Sequence, residues 1–304
     1  MNIIKEWNEL DKYQKDYICK YQSLPLTFIK QYWNELNKEQ KDYVCRYQKL
    51  DVEFIEQIWK RLSEKQRDNV CLYQKLDYEI EFIKQVWNEL DGKQRNFIMH
   101  QKLDIKFIEQ IWNELDKYQR DCICICQNLD IEFIKQHWNE LDEGQRRYVC
   151  EHQKLDIKFI EQIWNELDKY QRNLICKYQN LDIEFIEQYW NGLNKDQRDN
   201  VCICQKLDIE FIKQIWNELN KEQRRYVCEY QKLDTEFIIK QLWNSLSKKQ
   251  RNLICKNQNL DINFIKQMWN SLSKEQKNII KNKADYLTKF VLLSLEKGGK
   301  ENEH

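Results

Sequence analysis

Tryptophan recurs along this chain at a nearly fixed interval, and that interval limits the possible folds more than any other feature. Successive Trp residues lie 26 positions apart, except for a few intervals that differ by one or two residues. The chain's tryptophans are Trp7, Trp33, Trp59, Trp87, Trp112, Trp138, Trp164, Trp190, Trp216, Trp243 and Trp269. A fixed period of this length is typical of proteins built from one small recurring structural unit. The sequence therefore predicts tandem repeats rather than ordinary globular domains.

Each repeat contains two helix-start signals, as residues 207–231 illustrate. Asp208 and Asn220 are capping residues that each precede a helical pattern, and Gln223 follows Asn220 at the spacing of a capping box. The first helix is predicted to bury one apolar stripe, which consists of Phe211, Ile212, Ile215, Trp216 and Leu219. The second helix is predicted to bury Val227, Cys228 and Tyr230. Each repeat is therefore predicted to be a helix-turn-helix unit.

Such short helices need neighbours. Two helices of roughly 11 residues are each marginal alone in water, so the next repeat must cover the apolar stripe. The chain has only 5 Gly and 1 Pro, which disfavours turn-rich strand folds. We therefore predict an all-α fold, an α-solenoid (superhelix) of about eleven 26-residue helix-turn-helix repeats with a C-terminal capping helix.

The two ends depart from the repeat pattern and suggest domain boundaries. Pro25 replaces the usual Asp cap, which suggests a truncated N-terminal capping repeat over residues 1–24. Tandem two-helix repeats are predicted over residues 25–283, although Lys281 takes the place usually held by Cys. An unrelated apolar segment follows and is predicted as a capping helix over residues 284–296. Residues 297–304 are predicted to be a disordered tail.

The charge balance excludes long-range attraction of the whole molecule to polyanions. The 50 basic and 50 acidic side chains cancel, so binding to nucleic acid or to an anionic membrane would have to be local. The sequence has no apolar run of membrane-spanning length, and residues 1–10 lack the pattern of a secretory signal. We expect a soluble, unsecreted protein without a membrane partner.

The cysteines are predicted to be packing residues. Nine of them share one position of the repeat, which Met99 fills once, so the position is apolar. They are Cys19, Cys45, Cys71, Cys124, Cys150, Cys176, Cys202, Cys228 and Cys255. This number of free thiols indicates a reducing compartment, and we expect the cytoplasm.

A metal site is considered only at Cys122, Cys124 and Cys126, whose first and last members share a helical face. Small apolar substitution is the favoured interpretation, and no metal site is predicted. The four histidines, at positions 100, 137, 152 and 304, form no ligand set or triad, and no phosphate-binding loop occurs. No catalytic residue, cofactor or small-molecule substrate is therefore predicted.

Variation among the repeats indicates a contact surface, because packing positions are kept alike while a recognition face is free to diversify. The second helix varies most, at a pair of residues after its Gln-Arg and again after the Cys position, as at Arg46-Tyr47. Aromatic, amide and Arg side chains are frequent at protein interfaces. The predicted partner-binding residues are Tyr43, Asn69, Phe97, Tyr148, Tyr178, Asn200, Arg225, Tyr226 and Tyr230. A solvated face that drifts without function is the open alternative.

One basic residue per repeat suggests a second type of surface. These residues could track a phosphate backbone, as in repeat proteins that bind RNA, or could cover a neighbouring surface and pair with Glu. The alternative nucleic-acid ladder consists of Arg67, Arg95, Arg120, Arg146, Arg172, Arg198, Arg224 and Arg251, with Lys15, Lys41 and Lys277 at the equivalent positions. Acidic neighbours in each repeat favour the structural interpretation.

Residues 178–186 follow the pattern Tyr-Gln-x-Leu-Asp-x-x-Phe-Ile, which resembles short tryptophan-containing helical repeats of giant DNA viruses and AT-rich genomes. The resemblance covers nearly all of the chain and implies helical tandem repeats, but it implies no activity. We therefore predict a non-enzymatic binding or scaffold protein with a protein partner. Nucleic-acid binding is the alternative, and an enzyme accessory subunit is less favoured.

Overall fold

The computed structural model describes residues 7–76 and 80–298, and within them every regular element is a helix. The predicted all-α solenoid is confirmed: helices alternate in a repeated two-helix pattern, and within each of two compact blocks the repeats pack on their neighbours in sequence. The chain divides into two compact blocks, Met1–Lys154 and Leu155–His304. Parts of the predicted N-terminal repeat (residues 1–6) and of the predicted tail (residues 299–304) lie outside the described residues.

The first helix of each repeat is a short α-helix, and in most repeats it begins at an Asp cap. In a typical case, Asp208 Oδ1 accepts a hydrogen bond from the backbone N–H of Phe211 at 2.7 Å. Pro25 also occupies a cap position but makes no side-chain capping bond. The first helices are Leu26–Tyr32, Val52–Trp59, Ile80–Val86, Ile105–Ile111 and Ile131–His137 in the N-terminal block, and Ile157–Ile163, Ile183–Tyr189, Ile209–Ile215, Thr235–Phe237 and Ile262–Met268 in the C-terminal block.

The first helices end earlier than the apolar stripe suggests. In most repeats the α-helix ends just before the Trp, and the chain continues as a tighter 3-10 turn. In this turn the Trp carbonyl accepts a hydrogen bond from the backbone N–H of the Leu three residues later, as Trp112 O does from Leu115 at 3.3 Å. The 3-10 turns are Trp7–Glu9, Trp87–Glu89, Trp112–Glu114, Trp138–Glu140, Trp190–Gly192, Trp243–Ser245 and Trp269–Ser271. The stripe residues are nevertheless buried, as predicted.

The second helices begin with the predicted capping box. In one example Asn220 accepts from the backbone of Gln223, and the Gln223 side chain accepts from the backbone of Asn220. The second helices are Lys12–Tyr21, Lys38–Tyr47, Glu64–Tyr73, Gly92–Ile98, Lys117–Cys126 and Glu143–His152 in the N-terminal block, and Lys169–Tyr178, Lys195–Cys204, Lys221–Tyr230, Lys248–Asn257 and Lys274–Lys283 in the C-terminal block. Within each block, neighbouring second helices pack side by side.

Departures from the 26-residue period have structural explanations. The 27-residue interval before Trp243 contains a π-helical turn, Ile238–Leu242, which takes up the extra residue without moving the apolar stripe. In the 25-residue interval before Trp112, the second helix Gly92–Ile98 is shorter than its ten-residue neighbours. The repeat therefore absorbs insertions and deletions locally.

The core lies between the first and second helices. The Trp of one repeat packs edge-to-face against the Phe of the next, with ring centroids 5.0 to 6.2 Å apart. These pairs are Trp7–Phe28, Trp33–Phe54, Trp59–Phe82, Trp87–Phe107 and Trp112–Phe133 in the N-terminal block, and Trp164–Phe185, Trp190–Phe211, Trp216–Phe237 and Trp243–Phe264 in the C-terminal block. Val227 and Cys228 are fully buried, whereas Tyr230, predicted on the same apolar side, is exposed.

The last described element is the helix Tyr286–Gly298. It begins two residues after the start of the predicted capping segment and continues through Gly298, so the first two residues of the predicted tail are helical. No helix among the described residues has both the length and the apolar character needed to cross a membrane.

Candidate interaction surface

The basic residue of each repeat packs onto the Trp of its own repeat. Every member of the predicted ladder places its charged group 4.7 to 5.6 Å from the Trp ring centroid. From Arg95 to Arg251, each arginine also donates a hydrogen bond to the carbonyl oxygen of that Trp, over 2.9 to 3.3 Å. The basic side chains of the ladder are half-buried in every repeat. Its cations therefore stabilise the turn that follows each first helix.

The predicted partner-binding residues separate into two groups by exposure. Tyr178 and Tyr230, near the C-terminal end of their second helices, are exposed. The remaining residues are half-buried against neighbouring side chains or helices; they are Tyr43, Asn69, Phe97, Tyr148, Asn200, Arg225 and Tyr226. The structure therefore does not bring the predicted set together as one exposed line.

Several of the half-buried residues make contacts within the chain. Asn69 donates to the carbonyl of Asp42 at 3.2 Å, and Asn200 donates to the carbonyl of Asn173 at 3.3 Å, so both join neighbouring second helices. Tyr43 donates its hydroxyl to Glu39 at 2.9 Å. Arg225 lies between Glu222 and Glu229, at 2.9 Å from each carboxylate. The amides of Asn69 and Asn200 and the guanidinium of Arg225 are therefore engaged within the chain, as is the hydroxyl of Tyr43.

Exposed tyrosines recur at the C-terminal ends of the second helices. Tyr21, Tyr47 and Tyr73 hold this position in successive repeats of the N-terminal block, and they are 63%, 45% and 44% exposed. Tyr178 and Tyr230 hold it in the C-terminal block. Sequence reasoning left the first three out, although the second variable pair, such as Arg46-Tyr47, marked the position.

A glutamine that follows most second helices and joins neighbouring repeats was also missed. Gln205 accepts from the backbone N–H of Leu181 at 3.0 Å and donates to the carbonyls of Cys176 and Gln179, both at 2.8 Å. The same three-bond pattern occurs at Gln48, Gln74, Gln101 and Gln127. The available signal was an uncharged polar residue that recurs at this position in every repeat but the last, beside positions that vary.

At the end of the array a lysine replaces this glutamine. Ala284 occupies the position where the glutamine would stand, and the preceding Lys283 instead donates to the carbonyls of Lys256 at 2.7 Å and Gln258 at 3.0 Å. The carbonyls at this junction therefore still receive hydrogen bonds, as buried backbone groups require.

Shallow grooves lie between the ends of successive second helices. One groove of about 520 Å³ in the C-terminal block is lined by Cys204, Leu207, Tyr230 and Leu233 among others. A groove of about 630 Å³ in the N-terminal block is lined by residues that include His100 and Cys126. Exposed Tyr230 thus stands at the rim of a concave surface that is partly apolar.

The cysteines are free thiols, and ten of them are buried while Cys126 and Cys204 are exposed. Burial raises the pKa of Cys202 and Cys228 to about 12, so these thiols stay protonated at neutral pH. Cys126 Sγ lies 3.6 Å from His100 Nδ1, but Cys122 is buried. Within residues 7–76 and 80–298, no three Cys, His, Asp or Glu side chains are grouped to hold a metal ion.

Comparison of the chain with family models, with curated proteins and with solved structures gives no match.

Proposed function

We propose that the protein is a non-enzymatic binding or scaffold protein that recognises a protein partner through the outward ends of its second helices. The observation that carries the proposal is the row of exposed tyrosines at one repeat position, among them Tyr178 and Tyr230, which are 45% and 53% exposed. Exposed aromatic side chains that recur at one repeat position are a feature of interaction surfaces, and Tyr is enriched in interface hot spots.

Variation at this position supports recognition over packing. The buried positions of the second helix carry Val or Ile and then Cys in nearly every repeat, whereas the outward position carries Tyr, Cys, His, Asn or Lys. The groove beside Tyr230 adds a concave surface next to an aromatic anchor, which is the usual arrangement at a protein interface. The contact surface that we propose is therefore narrower than the predicted set of nine residues.

The alternative is a nucleic-acid-binding solenoid that uses the ladder of basic residues. In its favour is the regular spacing of one cation per repeat. Against it, the cations are half-buried, stack on Trp and, in most repeats, donate to a backbone carbonyl, as Arg224 does to Trp216 and Asn217. Phosphate contacts would compete with these internal contacts, so we favour the protein partner.

Free thiols, ten of them buried, support the proposal that the protein works in a reducing compartment such as the cytoplasm. The resemblance to the tryptophan-containing repeats of giant DNA viruses stays a prediction.

The proposal is tested by capturing partners from a cell lysate with the intact chain, with and without nuclease, at low and high salt. The test variant is Tyr178→Ala with Tyr230→Ala. The matched control is Lys158→Ala with Glu161→Ala, two exposed residues of the first helix Ile157–Ile163 whose removal leaves the net charge unchanged.

A protein that is retained after nuclease and high salt, and that is lost with the tyrosine variant but kept by the control, supports the proposal. Retention of nucleic acid that added salt abolishes, together with loss of binding in an Arg198→Ala and Arg224→Ala variant, would overturn it in favour of the ladder.

A further inference from the structure

In the first three repeats of the N-terminal block, cations and tyrosines lie beside one another at the ends of the second helices. The Lys20 ammonium lies 4.9 Å from the ring centroid of Tyr21 and 5.5 Å from that of Tyr43 in the next repeat. The Arg46 guanidinium lies 5.1 Å from the ring centroid of Tyr47 and 4.9 Å from that of Tyr73 in the next repeat. We call these six residues the tyrosine-cation patch.

The two cations of the patch are not neutralised. In the part of the chain that the structure describes, neither Lys20 nor Arg46 forms an ion pair. The nearby carboxylates make other contacts: Asp16, one helical turn before Lys20, accepts from the Gln40 amide at 2.8 Å. Asp42 binds Lys65 at 2.8 Å and Gln66 at 2.9 Å, and Glu39 accepts from the Tyr43 hydroxyl. The patch therefore presents positive charge that is held in place by aromatic rings and open to solvent.

The row of cations formed by Lys20 and Arg46 ends after two repeats. At the position of Lys20 and Arg46, the following repeats of the N-terminal block carry Leu72, His100, Ile125 and Glu151. A nucleic acid carries a charge at every nucleotide and would need the cations to continue along the helices. A ligand with only a few carboxylates matches the row better. The rings of Tyr47 and Tyr73 also already face the guanidinium, which leaves less aromatic surface for stacked bases.

Helix spacing suggests where the ligand's carboxylates should stand. Packed helices lie about 8 to 10 Å apart, and an extended polyproline II segment advances about 3.1 Å per residue with three residues per turn. Carboxylates three positions apart in such a segment share one face and would therefore meet successive cations, while residues between them would contact the tyrosine rings.

We propose that the tyrosine-cation patch formed by Lys20, Tyr21, Tyr43, Arg46, Tyr47 and Tyr73 binds a short, extended acidic peptide segment of a partner protein. This inference rests on the proposed function, because it assigns the partner's chemistry at the ends of the second helices in the N-terminal block. It can nevertheless fail on its own, since Tyr178 and Tyr230 lie in the other block.

The experiment measures binding of fluorescently labelled peptides to the intact chain by anisotropy. The probe is an extended peptide with two glutamates three positions apart. Its controls are the same peptide with glutamine at both positions and a single-stranded oligothymidylate. We expect the glutamate peptide to bind about tenfold more tightly than the glutamine peptide, and its affinity to fall with added salt.

The test variant is Lys20→Gln with Arg46→Gln, and we expect it to lose about tenfold in affinity for the glutamate peptide. The matched control is Lys177→Gln, because Lys177 lies 4.6 Å from the Tyr178 ring centroid in the C-terminal block and resembles the patch locally. We expect no change with this control. Circular dichroism of each variant checks that the helices are intact.

A charge-reversal variant distinguishes a loss of binding from misfolding, because it is expected to gain a new ligand. Lys20→Glu with Arg46→Glu should reject the glutamate peptide and bind a peptide with two lysines at the same spacing. Equal affinity for the glutamate and glutamine peptides, an equal loss with Lys177→Gln, or tighter binding of the oligothymidylate would overturn the proposal. Any of these results would leave the test of Tyr178 and Tyr230 unaffected.

Discussion

Arg172 holds Trp164 in two ways at once. Its Nε donates to the Trp164 carbonyl oxygen at 3.0 Å, and its guanidinium lies 5.3 Å from the centroid of the indole ring. The hydrogen bond satisfies a carbonyl that the first helix releases when it tightens at the tryptophan. One side chain therefore fixes both the turn and the ring that packs against Phe185 of the next repeat.

Arg172→Ala should lower the free energy of unfolding by about 1 to 2 kcal/mol, because it removes a hydrogen bond and a cation-π contact. Arg172→Lys should lose less, since the charge over the ring is kept. Urea denaturation followed by circular dichroism gives the values. Lys158→Ala, an exposed change on the first helix, serves as control, and an equal effect of the two alanine variants would contradict the structural role of the ladder.

Gln205→Met should destabilise the chain by about 3 kcal/mol. The change keeps the side-chain volume but leaves one buried N–H and two buried carbonyls without their partner. Gln214→Met is the matched control, because Gln214 is exposed on the first helix Ile209–Ile215 and should tolerate the change. Denaturation midpoints that shift equally would show that the buried glutamine contributes no more than a surface residue.

Thiol reactivity should separate two cysteines from the other ten. Cys126 and Cys204 are exposed and should react quickly with a disulfide reagent in the native state, whereas the buried thiols should react only when the repeats open. Colour release by Ellman's reagent, before and after denaturant is added, counts both groups. Cys126→Ser with Cys204→Ser should abolish the fast phase, and a fast phase that persists would contradict the buried placement of the cysteine position.

Stability should fall at alkaline pH. The pKa of Cys228 is raised by burial from the usual 9.0 to about 12. Below pH 9 both states keep the proton, but between pH 9 and 12 only the unfolded state loses it, so unfolding becomes more favourable as pH rises. Each such thiol should remove about 1 kcal/mol of stability between pH 9 and pH 10.

Cys228→Val isolates this contribution. The variant should lose about 1 kcal/mol less than the natural chain over the same interval, because the remaining titrating groups are the same in both. Urea denaturation at pH 9 and pH 10 measures the difference. Identical losses in the two chains would mean that the thiol at position 228 is no harder to ionise in the folded state than in the unfolded state.

The fold could be predicted because its signals are local and are repeated many times. Asp208 and Asn220 each mark a helix start by their own side-chain chemistry, and the capping box at Gln223 forms as its spacing indicates. The burial of Trp216 follows from the apolar stripe around it. The early end of the first helix could not be predicted, because the arginine that supports the turn lies eight residues further along the chain.

The contact surface was less predictable because helical spacing does not show where a neighbouring helix ends. Tyr226 and Tyr230 are four residues apart and share a face, yet Tyr226 is half-buried and Tyr230 is exposed. The ladder posed a similar difficulty. The charge of Arg224 is equally compatible with solvent, phosphate or an indole ring, and only the position of the Trp216 ring and carbonyl distinguishes these possibilities.

The buried glutamine also imposes an order on assembly. Gln231 is the last residue of its repeat, and it binds the first residue of that repeat, Leu207, and the carbonyls of Cys202 and Gln205 in the repeat before it. A repeat is thus closed and attached to its predecessor only when its final residue is present. As the ribosome releases the chain from the N-terminus, each newly completed repeat of a block can attach to one already formed. Translation and folding of a block can therefore proceed in the same direction, one repeat at a time.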